Sequence, residues 1–234
     1  WNQLNLFTGW HDVPLSDKGT VEAAAAGRTM ADAGLRFDVA HTSVLTRAVV
    51  TCNLALAEMD QVWLPVQRHW RLNERHYGAL QGLDKRATTE RHGEEQTHLW
   101  RRSYDVPPPP VGSDSPEHPV NDPRYRLLPP DVLPASECLA DVVRRVLPYW
   151  HDTVAPQLLA GWDVLVTAHG NSLRALVMHL EGVSTTDIAE LNIPTGVPRR
   201  YRFDAHLGVL DAQYLGDQQA IAAAAAAVAA QSKG

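Results

Sequence analysis

Apolar positions fall at two different spacings along this chain, and the switches between them mark its elements. After a polar, turn-rich opening (WNQLNLFTGWHDVPLSDKG), Ser16 or Asp17 is placed to cap a helix over Lys18–Ala33. Val21, Ala24, Ala25, Arg28 and Met30 lie at helical spacing in it, and Gly34 is its stop. Phe37–His41 reads as a short strand. Thr42-Ser43 then opens a second helix, with Val44, Ala48, Val49, Leu54 and Leu56 on its apolar face and Arg47 in its first turn. Val62–Val66 and Trp70–Leu72 read as extended segments. They lead into LNERHYGALQGLDK, a polar, glycine-punctuated loop that enters a helix. Thr88–Tyr104 has the character of a charged helix and carries Arg101-Arg102. Leu139, Val142, Val143, Val146, Leu147 and Trp150 predict an amphipathic helix over Ser136–Ala160. In DVLVTAHGNSLR, Asp163–Arg174, apolar Val164–Val166 runs into a tight turn and then a helical pattern, so the order is again strand, turn, helix. NIPTGVP (192–198) is a proline-bounded loop, followed by β-rich sequence at Tyr201–Phe203 and Val209–Tyr214. The alanine-rich tail, 218–234, favours helix but offers little apolar area to bury, which predicts fraying.

Helices alternating with short strands predict the α/β class with a mostly parallel sheet. Residues 105–134 interrupt it. Ten of the sixteen prolines fall there, and such a run forms neither helix nor central strand, so the segment is either a flexible insertion or a lid near a functional site. At 234 residues and 44% hydrophobic, the chain suits one large or two small globular domains. No window is apolar over the ~20 residues of a membrane span, and no secretory signal opens the sequence. Cys52 and Cys138 lie in unrelated stretches without redox or metal spacing, which points to a reduced, cytoplasmic protein. A net charge of −6 argues against nucleic acid as a partner. Any anion site must concentrate the 21 Lys and Arg residues locally.

Candidate chemistry gathers at the strand ends. His169, beside Gly170 and the N-terminus of the helix after it, is placed to hold a phosphate or another anion; a packed, capped turn is the alternative reading. Arg47 in a first turn opposes the helix dipole unless an anion offsets it, which hints at a phosphate site; a solvated arginine is the alternative reading. Glu74, among Asn73, Arg75, His76 and Tyr77, has the setting of a general acid or base, although a salt-bridged glutamate reads the same way. Arg101-Arg102 fits either an anion site or an exposed helix face. The eleven histidines show no metal-ligand spacing, and neither a serine-nucleophile elbow nor a nucleotide-phosphate loop is present.

Taken together, WNQLNLFTGWHDVPLSDKG, TSVLTRA, LNERHYGALQGLDK, WRRSY, AHGNSLRAL and LNIPTGVP closely resemble, in order and spacing, the 2,3-bisphosphoglycerate-dependent phosphoglycerate mutases of the histidine phosphatase superfamily. The resemblance implies a single domain over 1–234, a three-layer αβα sandwich around a mostly parallel sheet. It implies interconversion of 3-phosphoglycerate and 2-phosphoglycerate in glycolysis and gluconeogenesis, through a phosphohistidine primed by 2,3-bisphosphoglycerate and without a metal. Arg47 and His169 would flank the transferring phosphoryl group, with Gly170 and Asn171 in contact with it, and Glu74 would exchange the proton of the substrate hydroxyl. Asn2, Thr8, Gly9, Arg75, His76, Tyr77, Lys85, Arg101 and Arg102 would hold the substrate carboxylate and second phosphate. The partners implied are small phosphoglycerates and further copies of the chain, as a homodimer or homotetramer.

Two departures qualify this. The family's RHG nucleophile closes a first strand just upstream of the Trp-Asn that opens this sequence, and the sequence starts at Trp1 rather than methionine. The expectation is an N-terminally truncated mutase, its first strand missing, a gap left in the sheet, and these residues by themselves inactive. A non-catalytic phospho-ligand-binding or dimer-partner homologue is the alternative, and a bisphosphoglycerate synthase or phosphatase the near neighbour. The RHGEE at Arg91–Glu95 is not a substitute, since no apolar strand precedes it. The second departure is Arg199-Arg200, where apolar residues are expected.

Overall fold

The computed structural model describes residues 4–233. Its first helix, α1 (Asp17–Asp32), starts where Ser16 Oγ accepts the Gly19 N–H at 3.1 Å and ends before Gly34. Strand β1 (Val39–Thr42) follows, buried along its whole length. The second helix, α2, spans Thr46–Glu58 and so begins later than Thr42-Ser43: those residues complete β1 and the turn after it. Of the two segments expected to be extended, only Val66–Arg68 is a strand, β2, while Trp70–Leu72 closes into a 3₁₀ turn capped by the His69 ring. The charged helix is two, α3 (Lys85–His92) and α4 (Glu94–Arg102), because Gly93 at φ +86° lies outside helical space.

Within the proline-rich insertion the backbone makes three short 3₁₀ turns, at 119–121, 123–125 and 130–132. The long amphipathic helix expected next is interrupted. It runs as α5 (Leu139–Tyr149), widens into a π turn at Trp150–Val154, and resumes as α6 (Ala155–Leu159). Pro156 has no N–H for the carbonyl four residues back, and the turn before it absorbs the mismatch. Strand β3 (Val164–Thr167), helix α7 (Gly170–Glu181), strands β4 (Arg199–Phe203) and β5 (Val209–Tyr214), and helix α8 (Gln218–Lys233) complete the chain. The alanine tail is thus helical, anchored by buried Ile221.

The three-stranded sheet is parallel in the order β2-β1-β3, with Ala40 opposite both Val66 and Leu165. Its faces separate two layers of helix. On one side Ala40 and Leu165 pack against Cys52 and Leu56 of α2, and Leu165 also meets Met30 of α1. On the other, Val164 and Val166 face Val142 and Val146 of α5 and Ala175 and Leu176 of α7. Each large aliphatic side chain sunk this way contributes about 1.5–3 kcal/mol. The class is therefore α/β, a three-layer sandwich. Among the described residues β3 is paired on one side only, and the antiparallel β4–β5 hairpin forms a separate sheet.

The hairpin accounts for the unexpected arginine pair. Arg199 grips Glu181 at the end of α7 (Nη2 at 2.8 and 2.9 Å from the two oxygens) and lies 4.6 Å from the Tyr214 ring centre. Arg200 reaches Asp211 across the hairpin at 3.5 Å. Arg199 thus fastens the hairpin to α7, and Arg200 ties its two strands together.

Candidate active site

Parallel strands deliver their carboxyl ends to one rim of the sheet, where open α/β sheets collect ligands. Here β1 leads into Ser43 and the approach to Arg47, β2 leads through the Trp70 turn to Glu74–Tyr77, and β3 leads into His169. The rim gathers these side chains into one cluster.

His169 is the residue before α7 and is 8% exposed. Its Nε2 lies 2.7 Å from Ser43 Oγ, and its own N–H donates to Ser172 Oγ at 3.1 Å. Burial first, then the charges of Arg47 and Arg145, hold the imidazole pKa well below its ordinary value, so the ring is neutral at physiological pH. The Glu74 carboxylate closes over the same helix end: Oε1 accepts the N–H of Asn171 at 3.2 Å and that of Arg75 at 2.6 Å. Gly170 lies against the same carboxylate: its Cβ position is 3.7 Å from Glu74 Oε2, an ordinary contact distance. Arg47 directs Nη2 to the Gly9 carbonyl at 2.7 Å and Nη1 to that of His11 at 3.1 Å. Burial lowers its pKa, and the charges of Glu74 and Asp12 work against that. Carboxylate, guanidinium and neutral imidazole thus share one pocket.

Beside it stands a cluster of cations. Arg75 is 1% exposed, its guanidinium 4.5 Å from the Tyr77 ring centre and its Nη2 donating to the Arg101 carbonyl at 2.9 Å. Lys85, Arg101 and Arg102 crowd the same phenol, and all three have pKa values lowered by burial and, in part, by one another or by Arg75. Burial pushes the Tyr77 phenol up, yet Arg75 and Lys85 outweigh it and the net shift is downward. Arg102 also donates to Asn192 Oδ1 at 2.9 Å, which ties the 192–198 loop to the cluster. A chain with a net negative charge has therefore gathered its positive charge in one place.

Of the sequence-predicted residues, Arg47, Glu74, Arg75, Tyr77, Lys85, Arg101, Arg102, His169, Gly170 and Asn171 meet at this rim. Gly9 supplies a carbonyl to Arg47, and Thr8 lies next to it in the chain. His76 points away. Its ring is 0% exposed, its Nδ1 accepts the Gly78 N–H at 3.0 Å, and its face meets Trp10, so it supports the loop. Asn2 lies outside the described residues. His92 is exposed at the end of α3, edge-on to Trp100 at 5.0 Å. Among the described residues no group of three or more His, Cys, Asp or Glu side chains is placed to hold a metal, and no helix is long and apolar enough to cross a membrane.

Three further residues belong to the site. Ser43 holds His169. Arg174, 6% exposed, donates to Asn171 Oδ1 at 3.2 Å and to the Ile188 carbonyl, and its pKa is lowered to about 10 by burial, Arg102 and Arg75. Arg145 forms a buried pair with Glu137 (Nε–Oε1 2.6 Å) and donates Nη2 to the Glu74 carbonyl at 2.9 Å, while Glu137 accepts the His76 N–H at 2.8 Å. Arg174 and Arg145 each interrupt the apolar face of a helix, the one signal in the sequence that marks them.

The histidine phosphatase superfamily (branch 1) model matches residues 1–119 and 114–213. The chain is 60% identical over 233 residues to a protein of Nitratidesulfovibrio vulgaris (strain Hildenborough) named 2,3-bisphosphoglycerate-dependent phosphoglycerate mutase, covering 100% of this chain and 93% of the relative. A protein of the same name from the Miyazaki F strain is 60% identical over 231 residues, with 99% and 93% covered. Among solved structures, Bacillus stearothermophilus YhfR superposes with a TM-score of 0.66 at 19% identity, over 90% of each chain. The phosphoglycerate mutase of Bacillus anthracis str. Sterne superposes with a TM-score of 0.54 at 22% identity, over 77% of this chain and 74% of that one. At such identities the two structures speak for the fold alone.

Proposed function

The chain belongs to the histidine phosphatase superfamily, and from that membership we propose how its pocket works as that of a 2,3-bisphosphoglycerate-dependent phosphoglycerate mutase, an enzyme interconverting 3-phosphoglycerate and 2-phosphoglycerate. The observation that carries the reading is the cation cluster of Arg75, Lys85, Arg101, Arg102 and Arg174 set against the Glu74–His169–Arg47 pocket. A small ligand with a carboxylate at one end and phosphates at the other satisfies both halves at once. The cluster holds the carboxylate and the resident phosphate, and the pocket handles the phosphoryl group in transit.

Phosphoryl transfer needs charge stabilisation and a proton carrier more than covalent chemistry from the side chains around it. Arg47 offers a guanidinium already aimed by two carbonyls. Neutral His169, anchored by Ser43, presents a ring that hydrogen-bonds the transferring oxygens without adding charge, and the N-terminus of α7 with Gly170 and Asn171 adds backbone N–H groups and the helix dipole. Glu74 stands at this helix end, within reach of a hydroxyl lying beside the phosphoryl group, and passes the proton to and from it. 2,3-Bisphosphoglycerate serves as the phosphoryl donor that primes the phosphohistidine. His92 is not the accepting histidine, being exposed on α3. We read 1–234 as one domain with 105–134 as an insertion, acting on small phosphoglycerates in the cytoplasm as a homo-oligomer.

The test follows conversion of 3-phosphoglycerate, with catalytic 2,3-bisphosphoglycerate, by phosphorus NMR in the full-length protein. His169→Ala lowers turnover by about 10²–10³-fold, whereas His92→Ala leaves it unchanged. Normal turnover in His169→Ala, or its loss in His92→Ala, overturns the assignment.

A further inference from the structure

The proline-rich segment sends two side chains toward the transfer pocket, each through one intermediary. Arg124 is held by Asp122, with Nε 3.0 Å from both carboxylate oxygens and Nη2 2.6 Å from Oδ2. Its Nη1 reaches on to Asp12 Oδ2 at 2.5 Å. Asp12 in turn accepts the Thr46 N–H at 2.8 Å and the Thr46 hydroxyl at 2.6 Å. That N–H belongs to the first turn of α2, and the preceding Leu45 has no polar side chain to cap it, so a distant aspartate does so instead. Arg47 is the next residue, and its guanidinium is aimed by the carbonyls on either side of Trp10, those of Gly9 and His11, the latter adjoining Asp12.

The second line runs through Tyr125, whose hydroxyl accepts from Asn73 Nδ2 at 2.8 Å, while Asn73 Oδ1 accepts the Val44 N–H at 3.2 Å. Tyr125 is 2% and Asn73 0% exposed. Asn73 precedes Glu74, and Val44 follows Ser43, which holds His169.

We infer that Asp122–Tyr125 is a positioning brace for phosphoryl transfer, Arg124 aiming Arg47 through Asp12 while Tyr125 fixes the Glu74 and Ser43 loops through Asn73. The inference rests on the function proposed above. Its physical ground is that transfer is steeply sensitive to placement: an error of about 1 Å costs on the order of 10²-fold in rate. Neither Arg124 nor Tyr125 needs to touch substrate for this.

A kinetic double-mutant cycle separates aiming from mere loop packing. Arg124→Gln lowers kcat about tenfold and leaves KM for 3-phosphoglycerate within about twofold, because the cation cluster is untouched; in an Arg47→Ala background the same change costs less than about twofold. Equal losses in both backgrounds overturn the brace. Tyr125→Phe, which keeps the ring and removes only the hydroxyl, lowers kcat with the same KM pattern; an unchanged kcat overturns the second line. A readout free of turnover is exchange of the Thr46 amide by NMR, which Arg124→Gln accelerates at least about fivefold by releasing Asp12. If wild-type protein fails to interconvert the phosphoglycerates, the functional reading falls, and the Thr46 amide still decides the brace: unaltered exchange refutes it.

Discussion

Lowering the pH from 7 to 5 destabilises this protein through His76, and the size of the effect follows from where that ring lies. It is 0% exposed, its Nδ1 is committed as an acceptor for the Gly78 N–H, and Trp10, Glu117, His118 and Arg145 surround it. Burial, the dominant cause, lowers its pKa from 6.5 to about 4, the neighbouring Glu117 opposing this and the charges of His118 and Arg145 adding to it. The folded pKa lies below the unfolded one, so the unfolded chain binds more protons in the window between them. Stability is therefore fully present above about pH 6.5 and is lost as the pH falls toward about 4. Integrating that difference gives a negligible penalty at pH 7 and about 2 kcal/mol at pH 5 from one residue. The assay is denaturant unfolding at both pH values for wild type and His76→Asn. The asparagine oxygen replaces Nδ1 as acceptor for Gly78 but carries no titrating ring. The variant is less stable at both pH values for loss of packing, yet its drop between them is smaller than wild type's by about 2 kcal/mol. Equal drops in the two proteins would refute the reasoning.

Two further outcomes follow from local geometry. Gly78 has φ +57°, and a Cβ there would stand 2.2 Å from the Pro109 carbonyl. Gly78→Ala therefore costs about 2 kcal/mol or more, a fall in Tm of at least about 4 °C by calorimetry, and an unchanged Tm would show that the insertion yields freely. Ser43→Ala removes the 2.7 Å partner of His169 Nε2. It should lower kcat about tenfold with little change in Tm, and kinetics indistinguishable from wild type would remove Ser43 from the site.

Much of this was legible because periodicity and strand-end chemistry are local. The apolar run of Val164–Val166 and the glycine after His169 specify a strand, a turn and a helix without help from the rest of the chain, and β3, the turn and α7 follow in that order. Ser16 and Gly34 bracket α1 for the same reason. What escaped was set by distant contacts. Trp70–Leu72 reads as extended, and there the miss is local: the ring of His69 accepts the Arg71 N–H and the backbone curls. His76 sits in a string of site residues, yet its neighbours turn it into the core. Arg145 and Arg174 were not singled out, because each satisfies backbone carbonyls that no neighbour in sequence reaches. Asp12 acts as a cap for a helix 34 residues away, a relation with no sequence signature.

Five cations held around one phenol repel one another, and the fold must supply the energy that keeps them together. Catalytic utility and conformational stability are in tension there. Any polyvalent anion that settles among them relieves the repulsion and so becomes a folding partner, adding about 2.7 kcal/mol when present at a hundred times its dissociation constant. The thermal tolerance of this protein is thus a joint property of the chain and its solution, rising and falling with the phosphorylated metabolites and inorganic anions around it.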